Sequence, residues 1–313
     1  MMASAMRTIR VVDAGVSRPF GDERSVMQAF PLGIPSEESD PFLMCDHLII
    51  ESDGRAAHAD DFPIGWHPHR GMDIMTYLKR GTGRHGDSMG NREEFAAPGM
   101  QWISCGSGIE HAEGGANNAG EIEEGFQIWL NVPAKHKMDD PSYGTEDPAT
   151  IPQVELSPGV QARLLAGPFA DGRTGQFKTK QFVQMVDFEL SPSSTLTYDI
   201  PAGMDTCMLF VYEGDALLNT APIRINQVAL LDATNEAKRT FELTARSKAV
   251  SAMLFAGKKI KEPIAWHGPI VMNTQAQIRE CFNDMRSGKF PPKRAPWDYK
   301  TLSAFPADKK PTQ

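Results

Sequence analysis

Short apolar runs, each closed within a few residues by glycine or proline, restrict the folds open to this chain more than any other feature. Residues 73–78 end at Arg80-Gly81-Thr82-Gly83, residues 100–104 sit between Ala97-Pro98-Gly99 and Gly106-Ser107-Gly108, and residues 126–132 alternate before Pro133 closes them. With 27 glycines and 23 prolines in 313 residues, and few long stretches of 3.6-residue period, this punctuation favours an all-β architecture of many strands. A chain of this length suits two domains of roughly 100 to 150 residues each. The composition turns to Pro, Asp, Ser and Lys over 135–158, and the boundary is expected there.

Two spacings carry chemistry. His67-Pro68-His69 and His111-Ala112-Glu113 each separate two metal-ligand side chains by one residue, and on a strand residues i and i+2 leave the same face. Two such strands meeting in a small barrel would bring three imidazoles and a carboxylate together, donors suited to Fe, Mn, Ni, Cu or Zn without choosing among them. Gly81, Gly83 and Gly86 match G-x-G-x-x-G after a strand, but residues 85–94 are polar and start no amphipathic helix, so turn glycines are the better reading.

The second half is expected to place strands near 160–165, 182–190, 194–200, 206–213, 227–231 and 249–255. If its Tyr212-Glu213-Gly214 corresponds to Lys79-Arg80-Gly81, the counterpart of His69 is Ala202, and no histidine lies between His136 and His267. A second histidine-based metal site is thereby excluded, leaving a structural or partner-facing copy. A helix follows: Thr274 and Gln277 can form a capping box, Ile278, Cys281, Phe282 and Met285 share one face, and Gly288 is the stop. The Pro- and Lys-rich tail is expected to lie extended.

Several classes are disfavoured. A net charge of -8 argues against a nucleic-acid or anionic-membrane surface. No apolar run approaches the roughly 20 residues of a membrane span, and the first residues hold no signal-peptide core. Cys45, Cys105, Cys207 and Cys281 are dispersed without a C-x-x-C pair, which fits a reducing, cytoplasmic setting.

The motif series His67-Pro68-His69-Arg70-Gly71, Thr76-Tyr77, His85-x-Asp87-Ser88-x-Gly90, Pro98-Gly99-x-Gln101-Trp102, Gly106-x-Gly108-Ile109-x-His111-x-Glu113 and Gln127-x-Trp129-x-Asn131 resembles the pirin family of the cupin superfamily. Asp40-Pro41-Phe42-Leu43 and Gly268-Pro269-x-Val271-Met272-Asn273-Thr274 are also similar to it, so the likeness runs from about residue 8 to 290. The resemblance implies two tandem cupin barrels (double-stranded β-helix, jelly-roll type) and a short C-terminal helix. The expected domains are 1–140, holding the metal, 141–270, lacking ligands, and 271–313, helix and tail.

The resemblance further implies iron (Fe2+/Fe3+) on His67, His69, His111 and Glu113, with Glu113 also a candidate base. Some members are similar to quercetin 2,3-dioxygenases, which implies a flavonol-like substrate and O2 as partners of a monomer. The alternative is a non-catalytic, metal- and redox-dependent regulator that binds a transcription factor or metabolic enzyme. Asp73 stands where cupins usually carry Glu and is not expected to ligate, and the approach at 62–66 is slightly longer than in common members. Met72 and Met75 read as core or pocket wall, His85 as a turn histidine with an entrance role as the alternative, and Cys105 as a small buried hydrophobe. Gln101 and Trp102 are candidates for the pocket lining; His47, His58, His136 and His267 receive no role.

Overall fold

In the computed structural model, which describes residues 5–17, 25–54, 62–169 and 171–300, the punctuated apolar runs are strands. His58, the end of the polar 51–61 segment and the tail beyond 300 lie outside the described residues. The second half follows its expected pattern closely, with Val160–Ala166, Val183–Leu190, Thr195–Asp199, Thr206–Glu213, Gln227–Leu231 and Val250–Gly257. Residues 82–87 and 92–96 are also strands, although their polar composition suggests turns. The Gly81-x-Gly83 turn leads into the strand Thr82–Asp87 rather than into a helix.

Two compact units emerge. The first comprises residues 5–17, 27–47 and 149–261. One of its sheets runs Thr8–Asp13, Gln227–Leu231, Thr206–Glu213, Val250–Gly257, Val183–Leu190, Val160–Ala166, Gln153–Ser157; the other runs Thr195–Asp199, Thr240–Ala245, Ala216–Leu218, Ala221–Ile223. Alternate side chains of both sheets meet in one apolar core, where Phe188, Leu196, Leu209, Phe241, Leu243 and Leu254 are buried. Burying each such side chain stabilises the unit by roughly 1.5–3 kcal/mol.

The second unit comprises the described residues of 18–26, 48–148 and 262–300. Ser142–Glu146, Met100–Ser104, Met72–Arg80 and Ile122–Asn131 lie side by side in that order, and Ile64–His69, Ile109–Gly115, Thr82–Asp87 and Arg92–Ala96 form a four-stranded sheet. The helix Gln275–Arg286 has the capping box at Thr274 and Gln277, and Ile278 and Cys281 are buried on its inner face. Phe282 and Met285 pack against the same cluster, which includes Ile270, Met272 and Phe290.

These units depart from 1–140, 141–270 and 271–313, and residues 27–47 fall with 149–261 rather than with 48–140. Thr8–Asp13 pairs with Gln227–Leu231, so the chain's first strand belongs with its second half, whereas residues 262–300 belong with 48–148. Strand pairing follows a free sheet edge rather than sequence order, and a shift in composition cannot reveal it. One of the chain's several crossings between the units lies at 148/149.

Candidate metal centre

Register decides which side chains meet. Ile109–Gly115 lies between Ile64–His69 and Thr82–Asp87, with His111 directly opposite His67 on one side and opposite Asp87 on the other. Glu113 stands opposite His85. Directly opposed residues of antiparallel strands share a face, so His67, His69, His85, Asp87, His111 and Glu113 belong to one face of this sheet. The ring centroids of His67 and His111 are 4.3 Å apart, and His69 is 4.9 Å from each.

The hydrogen bonds prepare these rings as ligands. His67 Nδ1 lies 2.7 Å from the Gly65 carbonyl and His69 Nδ1 lies 3.2 Å from the Pro269 carbonyl. A carbonyl oxygen only accepts, so each Nδ1 carries a proton, and in that tautomer Nε2 is the nitrogen that can ligate. His111 is wholly buried, and neither of its ring nitrogens has a hydrogen-bond partner. Burial and the neighbouring imidazoles push His69 and His111 well below the ordinary histidine range, which keeps them neutral and able to coordinate. A buried imidazole without hydrogen bonds costs stability unless something binds it, and a transition metal fits this donor set.

One ring nitrogen from each of His67, His69 and His111 lies within 4.8 Å of the others. Glu113 does not join them in a single set at that spacing; it groups with His111 and His85. Its carboxylate is clamped from the facing strands, with Gln127 Nε2 donating to Oε1 at 2.7 Å and Gln101 Nε2 to Oε2 at 2.8 Å. Gln127, Thr76 and Gln101 form one cross-strand row, which explains why all three occur in the motif series. Gln101 thus faces the centre, whereas Trp102 points to the other side, where its ring lies against Gly144.

His85 is not a turn residue. It lies in Thr82–Asp87, fully buried, with Nε2 3.2 Å from Asp87 Oδ2 and its ring stacked 4.1 Å from Tyr143. The polarity of residues 82–87 hides the strand in sequence; the alternation of His85 with Asp87 is the signal that could have placed both on the ligand face. Trp129, two residues beyond Gln127, stands edge-on to His69 at 5.2 Å and 6.1 Å from Trp266.

Outer contacts fix the His69 turn. Gly71 takes φ +83° against the Val271 carbonyl, where a Cβ would sit 2.1 Å from that oxygen. Lys137 reaches in to donate from Nζ to the Gly71 carbonyl at 2.7 Å, Asn131 Oδ1 at 2.6 Å and the Val271 carbonyl at 3.1 Å. Burial lowers this ammonium to about 8. Arg70 donates from Nε to the Ser107 carbonyl and pairs with Asp284 of the C-terminal helix at 3.0 Å.

Other side chains singled out from sequence fall outside the cluster. Asp73 accepts from Ser104 Oγ and joins neither ligand group among the described residues. Cys105 is buried, and burial raises its thiol well above the ordinary range, so it behaves as a small hydrophobe. Met72 and Met75 are core. His47 lies in the other unit against Tyr212, while His136 pairs with Asp139 and His267 packs on Phe282. No helix among the described residues is long and apolar enough to cross a membrane.

Two family models match the chain: Pirin over residues 23–130 and the Pirin C-terminal cupin domain over 185–291. A Pseudomonas aeruginosa protein named "Putative quercetin 2,3-dioxygenase" is 33% identical over 287 residues, covering 89% of this chain and 96% of that protein. A Caulobacter vibrioides pirin-like protein is 32% identical, covering 87% and 96%. The crystal structure of a quercetin 2,3-dioxygenase from Acinetobacter baumannii superposes with a TM-score of 0.82 at 26% identity, covering 92% and 99%. The Escherichia coli bacterial pirin YhhW in complex with nickel(II) shares the fold, with a TM-score of 0.60 at 21% identity over 80% and 99%.

Proposed function

Because this chain belongs to the pirin family, with its two cupin barrels, we propose that it is a metal-dependent flavonol 2,3-dioxygenase, with iron held by His67, His69, His111 and Glu113. The observation that carries this reading is His111, buried with no hydrogen bond on either ring nitrogen and with Nδ1 3.9 Å from Glu113 Oε2, beside two imidazoles whose Nδ1 protons are tied to carbonyls. Manganese, nickel, copper or zinc would suit the same donors. A bound ion would supply Lewis acidity toward the 3-hydroxyl and 4-carbonyl oxygens of a flavonol and, if iron, redox chemistry with O2.

The chain's own residues do the rest. Gln101 and Gln127 hold both oxygens of Glu113 in one orientation, and Glu113 is the group we assign to receive the 3-hydroxyl proton. Trp129 and Trp266 offer flat apolar surfaces beside His69 for a planar ring system. An aerobic assay on quercetin with iron-loaded protein tests the reading. Loss of the flavonol absorbance with matching oxygen uptake, abolished in His69→Ala, is the expected result; absence of turnover with every metal that binds would overturn it.

A second reading rests on Arg70. The residue after His69 pairs with Asp284 in Gln275–Arg286, so a change at the imidazoles has a direct path to a helix with an exposed face. Under that reading the protein is a metal- and redox-dependent regulator that binds a protein partner. It expects metal binding, no flavonol turnover, and a change in Arg70→Met of the protection of 275–286 against amide exchange on metal loading.

A further inference from the structure

Five donor side chains occur in this cluster, one more than the metal reading uses. His85 is prepared in the same way as His67 and His69. One ring nitrogen, Nε2, is held by an oxygen acceptor, Asp87 Oδ2, and the other, Nδ1, is buried with no hydrogen-bond partner. Asp87 is itself fixed by the backbone N–H groups of Met89 and Asn91 and by Asn91 Nδ2, at 2.9, 3.0 and 2.7 Å. A carboxylate that orients a histidine while leaving its second nitrogen bare is the arrangement that supports metal ligands.

His85, His111 and Glu113 each offer a ligand atom within 4.8 Å of the other two, the same spacing that holds for His67, His69 and His111. Resting on the metal reading above, we infer that the barrel holds its transition-metal ion in two alternative seats: the one already described, closed by His67, His69, His111 and Glu113, and a deeper one of His85/His111/Glu113. His111 and Glu113 belong to both, so the seats are filled alternately. The clamp supports the second seat: Gln101 and Gln127 hold the Glu113 carboxylate in the group that contains His85 and His111. His85 is wholly buried, whereas His67 retains 8% exposure. The His85 seat is the better shielded from water.

Cobalt(II), whose visible absorption reports its ligands, tests this on metal-free full-length protein. His67→Ala/His69→Ala is expected to bind one cobalt per chain with an altered spectrum, and adding His85→Ala is expected to abolish that binding. A folded double variant that binds no cobalt overturns the second seat, and so does a triple variant that binds as well as the double. Anomalous scattering from cobalt-loaded wild-type crystals needs no variant. Two peaks that share one ion's occupancy are expected, and a single peak among His67, His69 and His111 overturns the inference while leaving the dioxygenase reading intact. A wild-type chain that takes up no cobalt overturns both.

Discussion

The two four-stranded sheets have the same strand order and opposite interiors. Ile64–His69, Ile109–Gly115, Thr82–Asp87 and Arg92–Ala96 correspond in order to Thr195–Asp199, Thr240–Ala245, Ala216–Leu218 and Ala221–Ile223. In the first, His111 faces His67 across the ladder; in the second, Phe241 faces Tyr198 and Leu243 faces Leu196. Where the first places His85 and Asp87, the second places Ala216 and Leu218, both buried. One barrel thus spends its interior on apolar contact and the other on donors that burial alone does not satisfy. The scaffold tolerates either filling, and chemistry enters through a handful of inward positions on three adjacent strands.

The largest expected contrast comes from truncating one inward ladder position in each barrel. His111→Ala should abolish metal binding, measured by elemental analysis, while Phe241→Ala should keep the metal and cost about 3–5 kcal/mol in denaturant unfolding. If Phe241→Ala also lost the metal, the division of labour between the barrels would fail. Next, chelation should raise amide exchange in 64–69, 82–87 and 109–115 and leave 195–199, 216–218 and 240–245 unchanged, because a ligand stabilises only what it binds. Gln127→Leu or Gln101→Leu should lower metal affinity about 10–100-fold by freeing Glu113 to rotate.

The two turn-anchoring arginines sharpen the contrast further. Arg239 donates to the carbonyls of Ile200, Pro201 and Met204, as Arg70 does to Ser107. Each Arg→Met change should cost about 1–3 kcal/mol by leaving carbonyls unpaired, but only Arg70→Met should also weaken metal binding. The smallest effect is expected at the helix: Thr274→Ala removes the capping box and should cost about 1 kcal/mol with metal affinity unchanged.

Legibility divides along similar lines. Apolar strands such as Thr206–Glu213 and Gln227–Leu231 are readable to the residue because a short continuous apolar run is bounded by turn residues. The helix is readable because its cap, apolar stripe and stop all coincide. His67, His69 and His111 are readable from spacing, yet His85 is not, because a strand whose buried face is polar looks like a loop. Counting back from Gly214 to Ala202 misses the true counterpart strand, since two residues separate Ile64–His69 from Met72–Arg80 but six (200–205) separate Thr195–Asp199 from Thr206–Glu213. The partner of Thr8–Asp13 is a matter of tertiary pairing, about which local pattern carries no information.

The most direct test of this account is metal analysis with X-ray absorption on protein purified without added metal, alongside His111→Ala. One transition-metal ion per chain, bound through histidine nitrogens in the wild type and missing from the variant, is the expected result. A wild-type chain that is empty as purified and then refuses iron, manganese, nickel, copper and zinc would contradict it.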